Sequence, residues 1–313
     1  MTEPKPIMIV YAGPNGSGKS SITKVQQKAT TFPLLYINAD DIAREQNIGA
    51  YEAAIEADRQ RKNAIEDKKS FAMETVMSTP EKIELMRYAK ARGYDVKLVY
   101  VTTMNPEINL DRVKLRVSKG EHDVPEEKIL SRYERSMKLV PEAIKAADQV
   151  DIYNNSFENP ILIAEKTRNQ EILIYPQPAP GKWSEKKIRK LIGDENARAI
   201  TPEYLQRVRE LRENAPDPAT GTSNLSRCEA EYMRHANAII TKTGRWPGAR
   251  ADSAIAAFML KQGYELHGIK TAIENKSPET AEKTHQACLE YLEKIMQAPA
   301  VVKELGRNRG ITR

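Results

Sequence analysis

The stretch GPNGSGKS, Gly13 to Ser20, matches G-x-x-x-x-G-K-[ST] and confines this chain to few architectures. Such a loop works only where a strand ends and a helix begins. Its glycines let backbone N–H groups turn toward an anion, and the helix N-terminus adds partial positive charge. The flanks supply both, with PIMIVYAG as an apolar run of strand length and a helical pattern from Lys19 onward. On this reading Gly13, Pro14, Asn15, Gly16, Ser17, Gly18, Lys19, Ser20 and Ser21 form a phosphate cradle. Lys19 carries a full charge to the β/γ oxygens, the Ser20 hydroxyl is a Mg²⁺ ligand, and the expected cofactors are ATP and Mg²⁺. A loop of this kind serves switches, motors and kinases alike, so other polar groups must decide its use.

The first 175 residues alternate short apolar runs with longer helical patterns, the signature of a parallel sheet with crossover helices. PLLYINAD, SFAMETVM, DVKLVYVTT, QVDIYNN and EILIYPQ read as further strands. AYEAAIEADRQRKNAIEDKK, PEKIELMRYAKARG, an arginine-rich segment from about Glu107, and Glu126 to Ala147 read as helices. The fold class is α/β, a P-loop NTPase-type parallel sheet with flanking helices. YPQPAPGKW then places Pro176, Pro178 and Pro180 close together, and neither helix nor strand runs through it. This sets a P-loop domain at 1–175, a linker at 176–183 and a smaller α-helical domain at 184–313. Its helical segments are SEKKIRKLI, TPEYLQRVRELREN with Thr201 as N-cap and Pro202 at the first helical position, and AEYMRHANAIITKTG behind a capping box of Ser226 and Glu229. ADSAIAAFMLKQG closes on Gly263, and SPETAEKTHQACLEYLEKIMQ opens with Ser277 and Pro278.

Composition narrows the function classes. A chain of 313 residues with 40% hydrophobic content can bury two ordinary cores. No apolar run approaches the roughly 20 residues of a membrane helix, and MTEPKPIMIV lacks the features of a cleaved leader, so a cytoplasmic protein is expected. Cys228 and Cys288 form no CxxC pattern, and His122, His235, His267 and His285 show no metal-ligand spacing. From Lys182 onward 23 Lys+Arg stand against 17 Asp+Glu, whereas residues 1–181 carry 26 of each. The excess positive charge is compatible with a nucleic-acid partner for the helical part, and equally with a solvated surface.

A second polar group gathers where strands two and three end. INADDIA puts Asn38, Asp40 and Asp41 at the carboxyl edge of the sheet, the edge on which such folds bind ligands. A carboxylate there can take a proton from an acceptor hydroxyl, or it can cap the next helix. METVMS brings Glu74 and Thr75 to the same edge, for a substrate hydroxyl or amide or for a buried salt bridge. Arg112 and Arg116 stand four apart and Arg132 and Arg135 three apart, so each pair lines one helix face, on either side of GEHDVP. Two such helices form a cationic lid over a γ-phosphate.

These residues resemble the zeta-toxin type P-loop kinases, the kinase halves of epsilon/zeta-like toxin–antitoxin systems. AGPNGSGKSS, INADDIA, METVMS, RGYDVKLVYV and LRVSKGEHDVPEEKILSRYERS follow that family's order over about residues 7–150. The resemblance implies an ATP- and Mg²⁺-dependent phosphotransferase acting on a hydroxyl of UDP-N-acetylglucosamine, a nucleotide sugar, with an antitoxin protein as partner. It implies Asp40 as general base, Glu74 as the substrate-positioning acid and Arg116 as a lid arginine that acts with Lys19, while Asn38 and Thr75 are substrate-binding candidates by their place at the same sheet edge. GEHDVP resembles the GGHxVP form of the lid with Glu121 for the second glycine, and the charge other members carry near His122 falls to Arg132. Two alternatives stay open: a small-molecule or polynucleotide 5′-end kinase, and an ATP-sensing regulator whose helical domain binds a partner or DNA. ADSAIAAFMLKQGYELHGIKTAIENKSPE is similar to helical segments of plasmid relaxases and conjugative primases, which assigns it no role.

Overall fold

A computed structural model describes residues 5–27, 35–118, 124–168, 170–177, 183–213, 227–281 and 283–310. The chain forms two compact units, Met1–Ala199 and Ile200–Arg313.

The first unit is built on an eight-stranded sheet. In chain order its elements are β1 (Ile7–Ala12), α1 (Lys19–Gln27), β2 (Leu35–Ile37), α2 (Ala39–Gln46), α3 (Ala50–Glu66), β3 (Phe71–Thr75) and α4 (Glu81–Ala91). There follow β4 (Asp95–Thr102), α5 (Pro106–Val117), α6 (Glu126–Ala146), β5 (Gln149–Asn154), β6 (Ile161–Lys166), β7 (Ile172–Ile174), α7 (Glu185–Ile192) and β8 (Arg198–Ala199). The strand order is β2-β3-β1-β4-β5-β6-β7-β8. The first five strands pair in parallel, as the alternation of strand and helix dictates, and Tyr11 lies opposite Glu74 in the β1–β3 register. That register sets the end of β3 beside the start of the glycine loop.

Alternation along the strands separates two apolar layers. Met8, Val10, Phe71, Met73, Leu98 and Ile152 face one way, into a core closed by Ile83 and Met86 of α4, Val140 and Ile144 of α6, and Ile188 and Leu191 of α7. Tyr11, Ala72, Val99 and Val101 face the other way and pack with Ile22 of α1.

The far end of the sheet departs from the expected parallel pattern. β6 runs antiparallel to β5 and β7 antiparallel to β6. ILIAEK escapes a reading by pattern because it ends in Glu165 and Lys166, a pair that suggests a solvated surface, yet both are buried. Lys166 Nζ donates to the carbonyl oxygens of Ile144 (3.0 Å) and Ala147 (2.8 Å), so a buried cation closes the C-terminus of α6.

The boundary between units also differs from the proline-rich stretch. Of the expected linker, residues 178–182 lie outside the described residues. α7 and β8 belong to the first unit: β8 pairs with β7, and Ile188, Leu191 and Ile192 are buried in the sheet core with Trp183. At about 1.5–3 kcal/mol for each fully buried large aliphatic side chain, that face binds α7 to the sheet despite the prolines before it.

The second unit is helical, with α8 (Pro202–Glu213), α9 (Arg227–Thr243), α10 (Ala249–Lys261), α11 (Leu266–Lys276), α12 (His285–Met296) and α13 (Pro299–Gly310). Thr201 caps α8 through a hydrogen bond from Tyr204 N at 3.3 Å. Ser226 of the expected capping box lies outside the described residues. Ser277 does not open a long helix. It caps a single 3₁₀ turn, Pro278–Thr280, and α12 begins separately behind Thr284. The reason lies in burial: the Ser277 hydroxyl donates to Asp252 Oδ2 at 2.7 Å while accepting from Glu279 N at 3.1 Å, which fixes it inside the unit. Tyr232 and Tyr291 (2.5 Å) also donate to Asp252, so one buried carboxylate joins α9, α10, the 3₁₀ turn and α12.

Candidate active site

The glycine loop spans the gap between β1 and α1, where the sequence puts it. Ser17 N bonds to Pro14 O (3.2 Å) and Ser21 N to Gly18 O (3.2 Å), which starts α1 and leaves Ser21 in its exposed first turn. Lys19 Nζ donates to the carbonyl oxygens of Gly13 (2.7 Å) and Pro14 (3.0 Å), folding the ammonium back over its own loop. Burial pushes the Lys19 ammonium down to about 8, opposed by the charge of Glu74, assisted by Arg116 and opposed again by Asp40. One lysine thus lies within electrostatic reach of the end of β3, the last turn of α5 and the first turn of α2.

Two asparagines brace the loop from outside. Asn109 Nδ2 of α5 donates to Asn15 O at 2.5 Å, and Asn155 Nδ2, just past β5, donates to Ser17 O at 2.8 Å. The approach is so close that a Cβ on Gly16 would stand 2.5 Å from Asn109 O, and one on Gly18 would stand 2.1 Å from Asn155 Nδ2. Both glycines have positive φ, at 73° and 90°, so backbone conformation and space each require glycine. Neither asparagine stands out in sequence, because each meets the loop only through tertiary contact.

Glu74 holds two neutral donors, with Tyr36 OH on Oε1 at 2.8 Å and Ser20 Oγ on Oε2 at 2.9 Å. It is therefore not the buried salt bridge its charge suggested as an alternative. Tyr36 is a site residue that pattern reading missed, since in LLYINAD it reads only as a strand residue. Burial and then the Glu74 charge push its phenol well above the usual range, which keeps it a donor.

Other expectations divide. Asn38 caps α2, its side chain accepting from Asp40 N at 3.2 Å while Nδ2 donates to Asp41 Oδ2 at 3.2 Å. Its amide thus makes both of these bonds at the helix start. Asp41 pairs with Arg44. Asp40 is exposed in the first turn of α2 and is not the cap; its carboxylate makes no hydrogen bond among the described residues. The Thr75 hydroxyl accepts from Met77 N at 3.0 Å, where Met77 takes a left-handed conformation, so that side chain shapes the turn after β3.

The lid arginines separate as well. Arg116 is half-buried on α5 and near enough to Lys19 to lower it. Arg112 instead donates from Nη1 to Asn155 O at 2.7 Å. Arg132 is half-buried on α6, and Arg135 beside it is exposed. Lys114 of α5 pairs with Glu126 of α6 at 2.5 Å, an exposed contact that solvent screens. Residues 119–123, including Glu121 and His122 of the expected lid, lie outside the described residues.

The residues present fit a nucleotide and a divalent ion. The Ser17 hydroxyl is buried with no hydrogen-bond partner among the described residues, and an orphaned donor costs about 1–3 kcal/mol until an acceptor such as a phosphate oxygen satisfies it. The Ser20 hydroxyl beside the Glu74 carboxylate offers the oxygen donors that Mg²⁺ takes, an ion that needs only one or two protein ligands alongside phosphates and water. Among the described residues no helix is long and apolar enough to cross a membrane.

Comparison with known proteins follows this geometry. A family model described as RepB DNA-primase C-terminal helical domain matches residues 248–298, within the second unit. An uncharacterized protein of Haemophilus influenzae is 36% identical over 130 residues, which is 40% of this chain and 91% of that protein. A solved structure from the PezAT chromosomal toxin–antitoxin system of Streptococcus pneumoniae is 17% identical, with a TM-score of 0.42 over 62% of this chain and 85% of its own. The AvrRxo1-ORF1:AvrRxo1-ORF2 structure with sulphate ions is 15% identical, with a TM-score of 0.46 over 80% of each chain. Shikimate kinase from Bacteroides thetaiotaomicron is 19% identical, with a TM-score of 0.32 over 48% of this chain and 86% of its own. A second family model, described as Zeta toxin, matches residues 1–177, more than half of the chain, and the chain belongs to the zeta toxin family.

Proposed function

We propose that this P-loop kinase-type protein transfers the γ-phosphoryl group of ATP to a hydroxyl of a nucleotide sugar, UDP-N-acetylglucosamine by family likeness, and that it acts as a toxin restrained by an antitoxin protein. One arrangement carries the reading: Glu74 at the end of β3 accepts from Ser20 of the phosphate loop at 2.9 Å, and Asp40 and Arg116, from two further elements, stand near enough to Lys19 to bear on its charge. A general base, an acceptor-orienting acid and a lid cation around one phosphate-facing lysine are the parts that phosphoryl transfer needs.

Each group has one task. Lys19 and the loop N–H groups hold the β- and γ-phosphates, and the Ser20 hydroxyl would hold Mg²⁺, which when bound supplies charge neutralisation at the phosphates. Asp40 takes the proton from the acceptor hydroxyl, for which its uncommitted carboxylate suits it. Glu74, oriented by Tyr36, accepts a hydrogen bond from the acceptor. Arg116, with Arg132 from α6, meets charge that grows on the moving phosphoryl group.

The test is transfer of label from ATP, radiolabelled in its terminal phosphate, to UDP-N-acetylglucosamine and a panel of other sugar nucleotides, small alcohols and 5′-hydroxyl oligonucleotides. Labelled sugar nucleotide supports the reading; label only on an oligonucleotide rejects the acceptor, and label on none of them rejects the transferase.

A further inference from the structure

The two loop braces and one lid arginine lie on a connected path. On α5, Asn109, Arg112 and Arg116 are spaced three and four apart, so they share one helix face. Asn109 holds Asn15 O, Arg112 holds Asn155 O at 2.7 Å, and Arg116 acts on Lys19. Asn155 is itself pinned, its N–H bonded to Thr102 O at 2.7 Å at the end of β4, and its amide reaches Ser17 O at 2.8 Å. The carbonyls of Asn15 and Ser17 are thereby held toward protein donors, while Ser17 N bonds to Pro14 O at 3.2 Å, an arrangement that leaves the Gly16 and Gly18 N–H groups to face an anion. The Asn109 end of this brace is fully buried and Asn155 nearly so.

We infer that Asn155 is a positioning residue through which Arg112 couples the helix bearing the lid arginine Arg116 to the shape of the phosphate loop, so that nucleotide affinity depends on where α5 sits. The inference rests on the proposal that the loop binds nucleotide. Arg112 on this account touches no phosphate: it fixes the Asn155 backbone, and the Asn155 amide fixes Ser17. Removing either donor loosens the same carbonyl, so the two losses overlap rather than add.

The experiment titrates a fluorescent ADP analogue with Mg²⁺ into the full-length wild type and into Asn155→Ala, Arg112→Ala, Arg112→Lys and the Arg112→Ala/Asn155→Ala double variant. Each single alanine variant is expected to bind roughly tenfold more weakly, the effect of one buried hydrogen bond. Arg112→Lys, which keeps one donor, is expected to restore most of the affinity, and the double variant to bind no more weakly than Asn155→Ala. Melting of each variant without nucleotide separates a general loss of fold, which leaves the affinity of the folded fraction unchanged, from loop positioning. If Asn155→Ala does not fold, the Arg112→Ala and Arg112→Lys pair decides alone. Unchanged affinity in Arg112→Ala, or fully additive losses in the double variant, overturns the coupling. A wild type that binds no nucleotide overturns the phosphotransfer reading as well, and that result is seen before any variant is compared.

Discussion

The Ser20 hydroxyl donates to Glu74 Oε2 at 2.9 Å, joining the end of the phosphate loop to the end of β3 across 54 residues of chain. Tyr36 occupies the other oxygen at 2.8 Å. Glu74→Ala leaves both hydroxyls without their acceptor, whereas Glu74→Gln keeps one acceptor oxygen and the side-chain volume. Thermal melts should show Glu74→Ala below wild type by roughly 1–3 kcal/mol of stability and Glu74→Gln within about 1 kcal/mol. Both should lose acceptor binding, read as a raised acceptor KM with ATP KM little changed. Equal melting of all three proteins would show that the hydroxyls do not depend on Glu74.

Lys19 gives a pH dependence with a definite sign. Burial pushes it down to about 8, while a bound phosphate favours its charged form. Below about pH 8 the ammonium is already protonated and nucleotide affinity should be flat. Above it, binding must take up a proton, and affinity should fall by up to about tenfold per pH unit. Titrations with Mg²⁺ and ADP across this range check it; constant affinity well above pH 8 would contradict the shifted lysine.

Arg116 should act mostly in the transition state. Arg116→Ala is expected to lower kcat by roughly 10²-fold with little change in ATP affinity, the usual cost of one electrostatic donor to a developing anion. Since Arg116 helps to depress Lys19, the same variant should move the break in the pH–affinity profile upward. A changed ATP KM at unchanged kcat would make Arg116 a ground-state binder.

These site residues were unevenly legible in the sequence. The loop, β1 and α1 follow from local pattern, because glycine, lysine and serine at fixed spacing leave one backbone solution. The register that sets Glu74 beside the loop also follows once the strands are parallel. Asn109 and Asn155 were not legible: they meet the loop across 94 and 138 residues, and no short-range periodicity carries such contacts. Asn38 and Thr75 are polar residues at a ligand-binding edge that also make local capping and turn bonds, which a sequence pattern reads equally as either role. β6 hid behind a buried glutamate and lysine, and α7 behind prolines whose effect on the chain path does not decide which core the next helix joins.

In the second unit, burial pushes Asp252 up from 3.8 to about 7, against the pull of its three hydroxyl donors. A carboxyl that holds its proton more tightly when folded favours folding at low pH. Stability of this unit should therefore fall as pH rises from about 4 to about 7 and level off above. Asp252→Asn should flatten that slope. Melts across this pH range check it, and a wild-type curve that rises over the interval would contradict the buried, protonated state.

The central claim is that Asp40 turns phosphate holding into phosphate transfer. Asparagine keeps its size and part of its hydrogen bonding but cannot accept the acceptor proton. The most direct measurement compares wild type and Asp40→Asn for nucleotide affinity and for transfer of labelled phosphate from ATP to UDP-N-acetylglucosamine. The account predicts equal nucleotide binding, labelled sugar nucleotide from the wild type, and none from the variant. Equal transfer by both proteins, or none by a wild type that binds ATP, would contradict it.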